Sequence, residues 1–200
     1  MTAIIDTSSL LSFVRYYLPF DSKGVLRGFL VAQVRQGAIV ILDAVWEECQ
    51  YVAKGIVVQE LPELQEYVKD TTSLLPPSQR KLSNLLDENF CNGVLKNMLT
   101  EDQYMLQKQD FMKSADYKII VKCMQQPTMF DAERRVITEE TAISNDRKVF
   151  KKLPAIMNFL KIPVVPVSKF FKDNGIDAEW YCATRHNERD DMIALEDAIF

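Results

Sequence analysis

Apolar residues along this chain fall into two spacings. Ala3-Ile4-Ile5, Ile39-Val40-Ile41-Leu42, Val136-Ile137-Thr138 and Ile162-Pro163-Val164-Val165 are short, mostly β-branched runs with almost no polar interruption. Such continuity predicts strands at 2–5, 38–42, 136–138 and 162–165 in a parallel sheet covered on both faces. Pro163 places the last of them at an edge, because proline cannot donate to a central ladder. Between these runs the spacing is helical. Leu10, Leu11, Phe13 and Val14 open one helix, and Leu26, Phe29, Leu30 and Val34 form another that closes near Gly37. Pro154 suits the first turn of a helix running through Ile156, Phe159 and Leu160.

The stretch from about 55 to 112 is longer than one crossover requires, and Pro62, Pro76 and Pro77 cut it into helix-sized pieces. It reads as a helical insertion or cap inside one α/β domain. With 200 residues, 48% of them hydrophobic, the chain can bury one sizeable core. The body is expected over 1–173. After Asn174-Gly175 the composition turns acidic, so 174–200 forms a separate tail. Its Met192, Ile193, Leu195, Ile199 and Phe200 either dock on the body or line a short amphipathic helix.

No run approaches the roughly 18 apolar residues of a membrane span. Asp6 interrupts the first apolar stretch, which excludes a signal-peptide pattern, so a cytoplasmic protein without membrane association is expected. Cys49, Cys91, Cys123 and Cys182 are far apart and read as buried reduced thiols. His186 is the single histidine, which excludes two-histidine ribonuclease chemistry. The six glycines form neither a dinucleotide nor a P-loop fingerprint. A net charge of −4 argues against a generally basic nucleic-acid binder. Yet Arg134, Arg135, Arg147, Lys148, Lys151, Lys152, Lys161, Lys169 and Lys172 outnumber Glu139, Glu140 and Asp146 locally. This segment is either a phosphate-holding surface or an ordinary solvated face.

The chemistry lies in acids placed at element ends. Asp6 follows the first strand, where parallel α/β folds build active sites, although an aspartate there also suits a helix N-cap. Ser8 and Ser9 are placed to orient its carboxylate. Asp116 precedes Ile119, Ile120 and Cys123 by three, four and seven residues, which puts it on the buried stripe of its own helix. Alternatively, Ser114 caps that helix and Asp116 complements its first-turn amides. Glu47-Glu48 and Glu139-Glu140 follow the second and third strands. On a helix starting near Val45, the stripe Val45, Trp46, Cys49, Val52 and Ala53 leaves Glu48 on its flank and Glu47 nearly opposite. Carboxylates gathered in one pocket repel each other unless a cation intervenes, and Mg²⁺ or Mn²⁺ is the hard cation suited to oxygen ligands.

The order of these pieces resembles the PIN-domain ribonucleases, including the VapC-type toxins of bacterial toxin/antitoxin systems. The matching segments are Ile4-Ile5-Asp6-Thr7-Ser8-Ser9-Leu10, Ala44-Val45-Trp46-Glu47-Glu48-Cys49, Ala115-Asp116-Tyr117-Lys118-Ile119-Ile120 and Val136-Ile137-Thr138-Glu139-Glu140. Leu153-Pro154-Ala155-Ile156 followed by Lys161-Ile162-Pro163-Val164 is similar to one branch of the superfamily. The resemblance covers about residues 1–172, with a weakly matched middle. It implies a PIN-like three-layer fold: a mainly parallel central sheet of about four or five strands with flanking helices. It also implies a Mg²⁺- or Mn²⁺-dependent endoribonuclease. Asp6, Glu48, Asp116 and Glu140 would be its catalytic and metal-binding residues, with Ser8 and Thr138 in support. Attack by metal-activated water would leave a 5′-phosphate and a 3′-hydroxyl. The family's Thr-x-acid pattern selects Glu140 over Glu139, and the family often has Asp there. Implied partners are an RNA substrate, a cognate antitoxin protein and a second copy of the chain. The alternative reading is a PIN-like RNA- or protein-binding module with weak catalysis. An aspartyl-phosphate phosphatase ranks below both, because Ser8 stands where that chemistry needs a second acid.

Overall fold

The computed structural model describes residues 2–125, 134–143 and 147–176. The tail beyond 176, with Cys182 and His186, lies outside the described residues, as does Asp146 of the charged segment. β1 (Thr2–Ile5), β2 (Ile39–Val40), β3 (Arg134–Ile137) and β4 (Val164–Val165) form an all-parallel sheet in the order β2-β1-β3-β4. Ala3, Ile4 and Ile5 are all buried. Successive strand residues point to opposite faces, so both faces of β1 are covered and the α/β layering follows. β4 is an edge strand that begins just after Pro163, whose carbonyl accepts from Val136 N at 2.9 Å.

Strand lengths depart from the sequence expectation for hydrogen-bonding reasons. β2 stops at Val40 because Ile41 accepts from Lys69 N (2.8 Å) and Asp43 N donates to Lys69 O (2.9 Å). The chain there leaves β1 for a segment of the insertion. β3 starts earlier than expected, at Arg134, because Thr2 and Ala3 pair with Arg134 and Arg135.

Ten α-helices surround the sheet among the described residues. α1 (Thr7–Ser12) passes directly into a π-helical turn at Phe13–Tyr17, rather than continuing as one helix. α2 (Val25–Arg35) ends before Gly37, whose φ of 75° suits a residue without a Cβ. α3 (Asp43–Tyr51) starts earlier than Val45, yet buries Val45, Trp46 and Cys49 as the periodicity requires. Its stripe does not extend to Ala53, because Ala53 and Lys54 adopt φ of 52° and 60° and break the helix.

α4 (Ile56–Glu60), a 3-10 turn at Pro62–Tyr67, α5 (Gln79–Glu88), α6 (Gly93–Asn97) and α7 (Glu101–Lys113) make up the insertion. It is no detachable cap: Leu61, Leu64, Leu82, Leu86 and Phe90 belong to the same buried cluster as β1. α8 (Ala115–Met124) packs against α3, α7 and α9 (Leu153–Phe159). α10 (Val167–Asp173) contributes Phe170 and Phe171 to an aromatic cluster with Phe13, Tyr17 and Phe29.

Cys49, Cys91 and Cys123 are buried free thiols; burial pushes Cys49 and Cys123 up to about 12. Among the described residues, no helix is long and apolar enough to cross a membrane.

Candidate active site

Sheet order alone locates a crevice. The chain passes from β1 to β2 on one side and later returns to place β3 on the other side of β1. The carboxyl ends of β1 and β3 therefore flank a switch point, the usual ligand site of open parallel sheets. Asp6 is the first residue beyond β1 and Thr138 the first beyond β3. The two ends are tied by Asp6 N donating to Ile137 O at 2.9 Å.

Asp6 is 5% exposed, and its oxygens are placed by the residues that follow the two strands. Oδ1 accepts from Thr7 N (2.7 Å), so Asp6 does cap α1. Oδ2 accepts from Ser8 Oγ (2.7 Å) and Thr138 Oγ1 (2.9 Å). Each hydroxyl accepts in turn from a backbone amide: Ser8 Oγ from Glu139 N (3.2 Å) and Thr138 Oγ1 from Glu140 N (3.1 Å). Two consecutive peptides thus feed two hydroxyls that converge on one carboxylate oxygen. The two hydroxyls also lie 3.1 Å from each other, and together they hold the orientation of Asp6.

Asp6, Glu48, Asp116 and Glu140 all line one cleft of about 580 Å³. Glu48 comes from α3, and its Oε2 accepts from Thr7 Oγ1 at 2.7 Å. Glu47 is exposed and does not line the cleft. Asp116 lies in the first turn of α8, whose N-cap is Ser114; Ser114 Oγ accepts from Tyr117 N at 3.3 Å. Capping and cleft-lining therefore coexist in this segment. The adjacent glutamates diverge: Glu140 faces the cleft, while Glu139 Oε1 accepts from Val167 N (2.8 Å) at the start of α10.

Burial pushes the Asp116 carboxyl up to about 7, and the charges of Asp6, Glu140 and Glu48 push in the same direction against Lys148. Burial is the larger cause, and the acids around Asp116 add to it. The donors are hard oxygens without thiol or imidazole, a set that fits Mg²⁺ or Mn²⁺. Among the described residues, no three acidic, cysteine or histidine side chains already converge as one ion's cage.

The expected basic surface divides. Lys148, Lys151 and Lys152 line the cleft. They are carried by a segment pinned to the insertion through Asn92 N to Val149 O and Lys151 N to Phe90 O, both 2.8 Å. Other members are structural. Arg134 Nη1 donates to Lys122 O (3.1 Å) and to Gln125 O near the end of α8, and Arg135 pairs with Asp173 at 3.2 Å. Sequence reasoning missed Gln107, Asp110 and Phe111, which α7 contributes to the cleft wall. No local pattern marks them; they become neighbours of Asp6 only because the insertion folds back onto α8.

The structure thus defines a parallel α/β protein with an acidic cleft at its topological switch point. The chain belongs to the family described as a domain of unknown function (DUF4411), whose model matches residues 4–178, a span containing Asp6, Glu48, Asp110, Asp116 and Glu140 of the cleft. No curated protein and no solved structure matches the chain.

Proposed function

We propose that this chain is a PIN-like, metal-dependent endoribonuclease that hydrolyses RNA phosphodiester bonds. The observation that carries the reading is the convergence of Asp6, Glu48, Asp116 and Glu140 from four separate segments into one cleft that also holds Lys148, Lys151 and Lys152. Carboxylates and ammonium groups side by side match a substrate whose phosphates need holding beside a site that takes a cation.

In this reading Asp6 and Asp116 hold Mg²⁺ or Mn²⁺, Glu48 orients the water, and Glu140 completes the acidic pocket. The ion supplies charge neutralisation and Lewis acidity for phosphodiester hydrolysis. Ser8 and Thr138 keep Oδ2 of Asp6 aimed, and Thr7 does the same for Glu48. The three lysines take the flanking phosphates and disfavour uncharged substrates. In the toxin form of the proposal, a cognate antitoxin protein restrains the activity, and the active species is a homodimer in the cytoplasm.

The test is cleavage of a defined RNA panel with Mg²⁺, Mn²⁺ or chelator, alongside Asp6→Asn. Cleavage that disappears with chelator and with the substitution supports the enzyme. RNA retention without cleavage under every metal condition supports the second reading, a PIN-like binding module. That reading draws on Glu140 standing where the resembled family often has Asp.

A further inference from the structure

Part of the cleft wall is aromatic. Phe111 of α7 stacks on Phe150 with ring centroids 4.4 Å apart and planes 12° from parallel. Both residues line the cleft that holds Asp6, Glu48, Asp116 and Glu140, together with Asp110 and with Gln107, one helical turn before Phe111. Phe111 is half-buried, whereas Phe150 is buried beneath it and also stacks with Tyr104 at 6.1 Å. Phe111 is therefore the more accessible ring of the stacked pair, and it also meets Tyr117 edge-to-face with centroids 6.3 Å apart. Lys148, Lys151 and Lys152 flank Phe150 in the sequence and line the same space.

We infer that Phe111 is a base-stacking subsite, with Gln107 beside it to meet the base edge, and that it selects single-stranded RNA. This inference rests on the nuclease reading above. A flat ring backed by a second ring offers a nucleobase a sequence-tolerant π surface, and neighbouring ammonium groups hold the phosphates that join successive bases. A base can reach Phe111 only if it is unstacked from its own strand, which duplex RNA does not permit without a pairing cost. The side-chain amide of Gln107 carries both a donor and an acceptor, so it can pair with any base edge and sharpen preference for one. The insertion supplies both residues, so it contributes substrate selection while the sheet edge contributes chemistry.

The experiment uses the full chain carrying Asp6→Asn, so that RNA survives, and short single-stranded RNA containing 2-aminopurine at successive positions. At one position the fluorescence should be quenched on binding. Phe111→Leu should abolish that quench and weaken binding by about tenfold, the scale of one base stack, whereas Phe111→Trp should retain both. An RNA with an abasic residue at the quenched position should bind both proteins alike. In the otherwise unsubstituted enzyme, Phe111→Leu should raise KM with little change in kcat. Gln107→Ala, which lies on an exposed helix surface, should alter base preference without altering stability. Unchanged quench and KM in Phe111→Leu, in an enzyme that does cleave RNA, would overturn the subsite and leave the nuclease reading standing. Equal binding of duplex and single strand would do the same. An unsubstituted protein that neither binds nor cleaves RNA would overturn both.

Discussion

Two groups of acidic side chains in this molecule solve the burial of charge in opposite ways. Asp87 of α5 meets Lys108 of α7, whose Nζ donates to both carboxylate oxygens at 2.7 Å, and Tyr104 Oη donates to Oδ1 at 2.6 Å. Burial raises the Asp87 carboxyl, but the hydrogen bonds of Lys108 and Tyr104 outweigh it and leave the net value low. Lys108 also donates to Ser83 Oγ, so this buried lysine spends its protons on partners that hold two insertion helices together. Asp116 has no such arrangement. Burial and three acidic neighbours raise it to about 7. The charge of Asp87 is met by a hydrogen-bonded lysine inside the fold; that of Asp116 is disfavoured by burial and acidic neighbours, with Lys148 opposing only in part.

The largest effect that tests the contrast is on cleavage. Asp6→Asn and Asp116→Asn should each lower kcat by at least about a hundredfold in folded protein, and the double variant should lose little more, because both changes disable one site. Near-normal turnover in either variant would remove that acid from the centre. Asp87→Asn should leave kcat close to normal.

A sharper cut runs within a single helix. Glu48→Gln should reduce cleavage by about tenfold or more under saturating metal, while Glu47→Gln should stay within about twofold, since only Glu48 lines the cleft and bonds to Thr7. The reverse ranking in two equally stable proteins would disprove the assigned roles.

Stability should show the opposite hierarchy. Lys108→Met strands a partly buried carboxylate and should cost roughly 1–3 kcal/mol in chemical denaturation. Adding Asp87→Asn to Lys108→Met should recover part of that loss. An unaltered denaturation midpoint in Lys108→Met would mean that the ion pair contributes nothing.

The smallest effect is in pH dependence, measured with chelator present. The folded value of Asp116 lies above the unfolded value of about 3.9, so the folded state binds the extra proton between them. Stability from this group is fully present below the unfolded value and is lost as pH rises to about 7. Asp116→Asn should therefore stabilise the metal-free protein at pH 8, on the order of 1 kcal/mol, and not at pH 4. For Asp87 the folded value is lowered, so its contribution is present above the unfolded value and disappears as acid titrates the folded carboxylate. Thermal melts of Asp87→Asn should thus differ most from the parent at neutral pH. Parallel pH profiles for the two asparagine variants would erase the distinction between the clusters.

Short-range signals in the chain determined a good deal: a strand over Thr2–Ile5 and another through Val136 and Ile137, proline at an edge, the helix phase that separates Glu48 from Glu47, and Ser114 ahead of Asp116. These follow from steric preference, side-chain period and local hydrogen bonding, which a few adjacent residues encode. Tertiary structure alone decided where β2 ends, because the partner of Ile41 is Lys69, far along the chain. It supplied the partner that separates two adjacent glutamates no local pattern distinguishes, Glu139 bonding to Val167 N at the start of α10 while Glu140 lines the cleft as the family resemblance implies. It also placed Lys148, Lys151 and Lys152 along the cleft, Lys151 with its ammonium on Asn89 O, while Arg134 ties down the end of α8 and Arg135 pairs with Asp173. Phe111 and Phe150 are stacked in the cleft that Asp6 lines only because the insertion packs into the common core. Periodicity reports which side of an element is apolar, but not which distant element covers it. That choice is made by burial and hydrogen-bond satisfaction over the whole molecule, and here it brought distant acids, lysines and rings to one sheet edge.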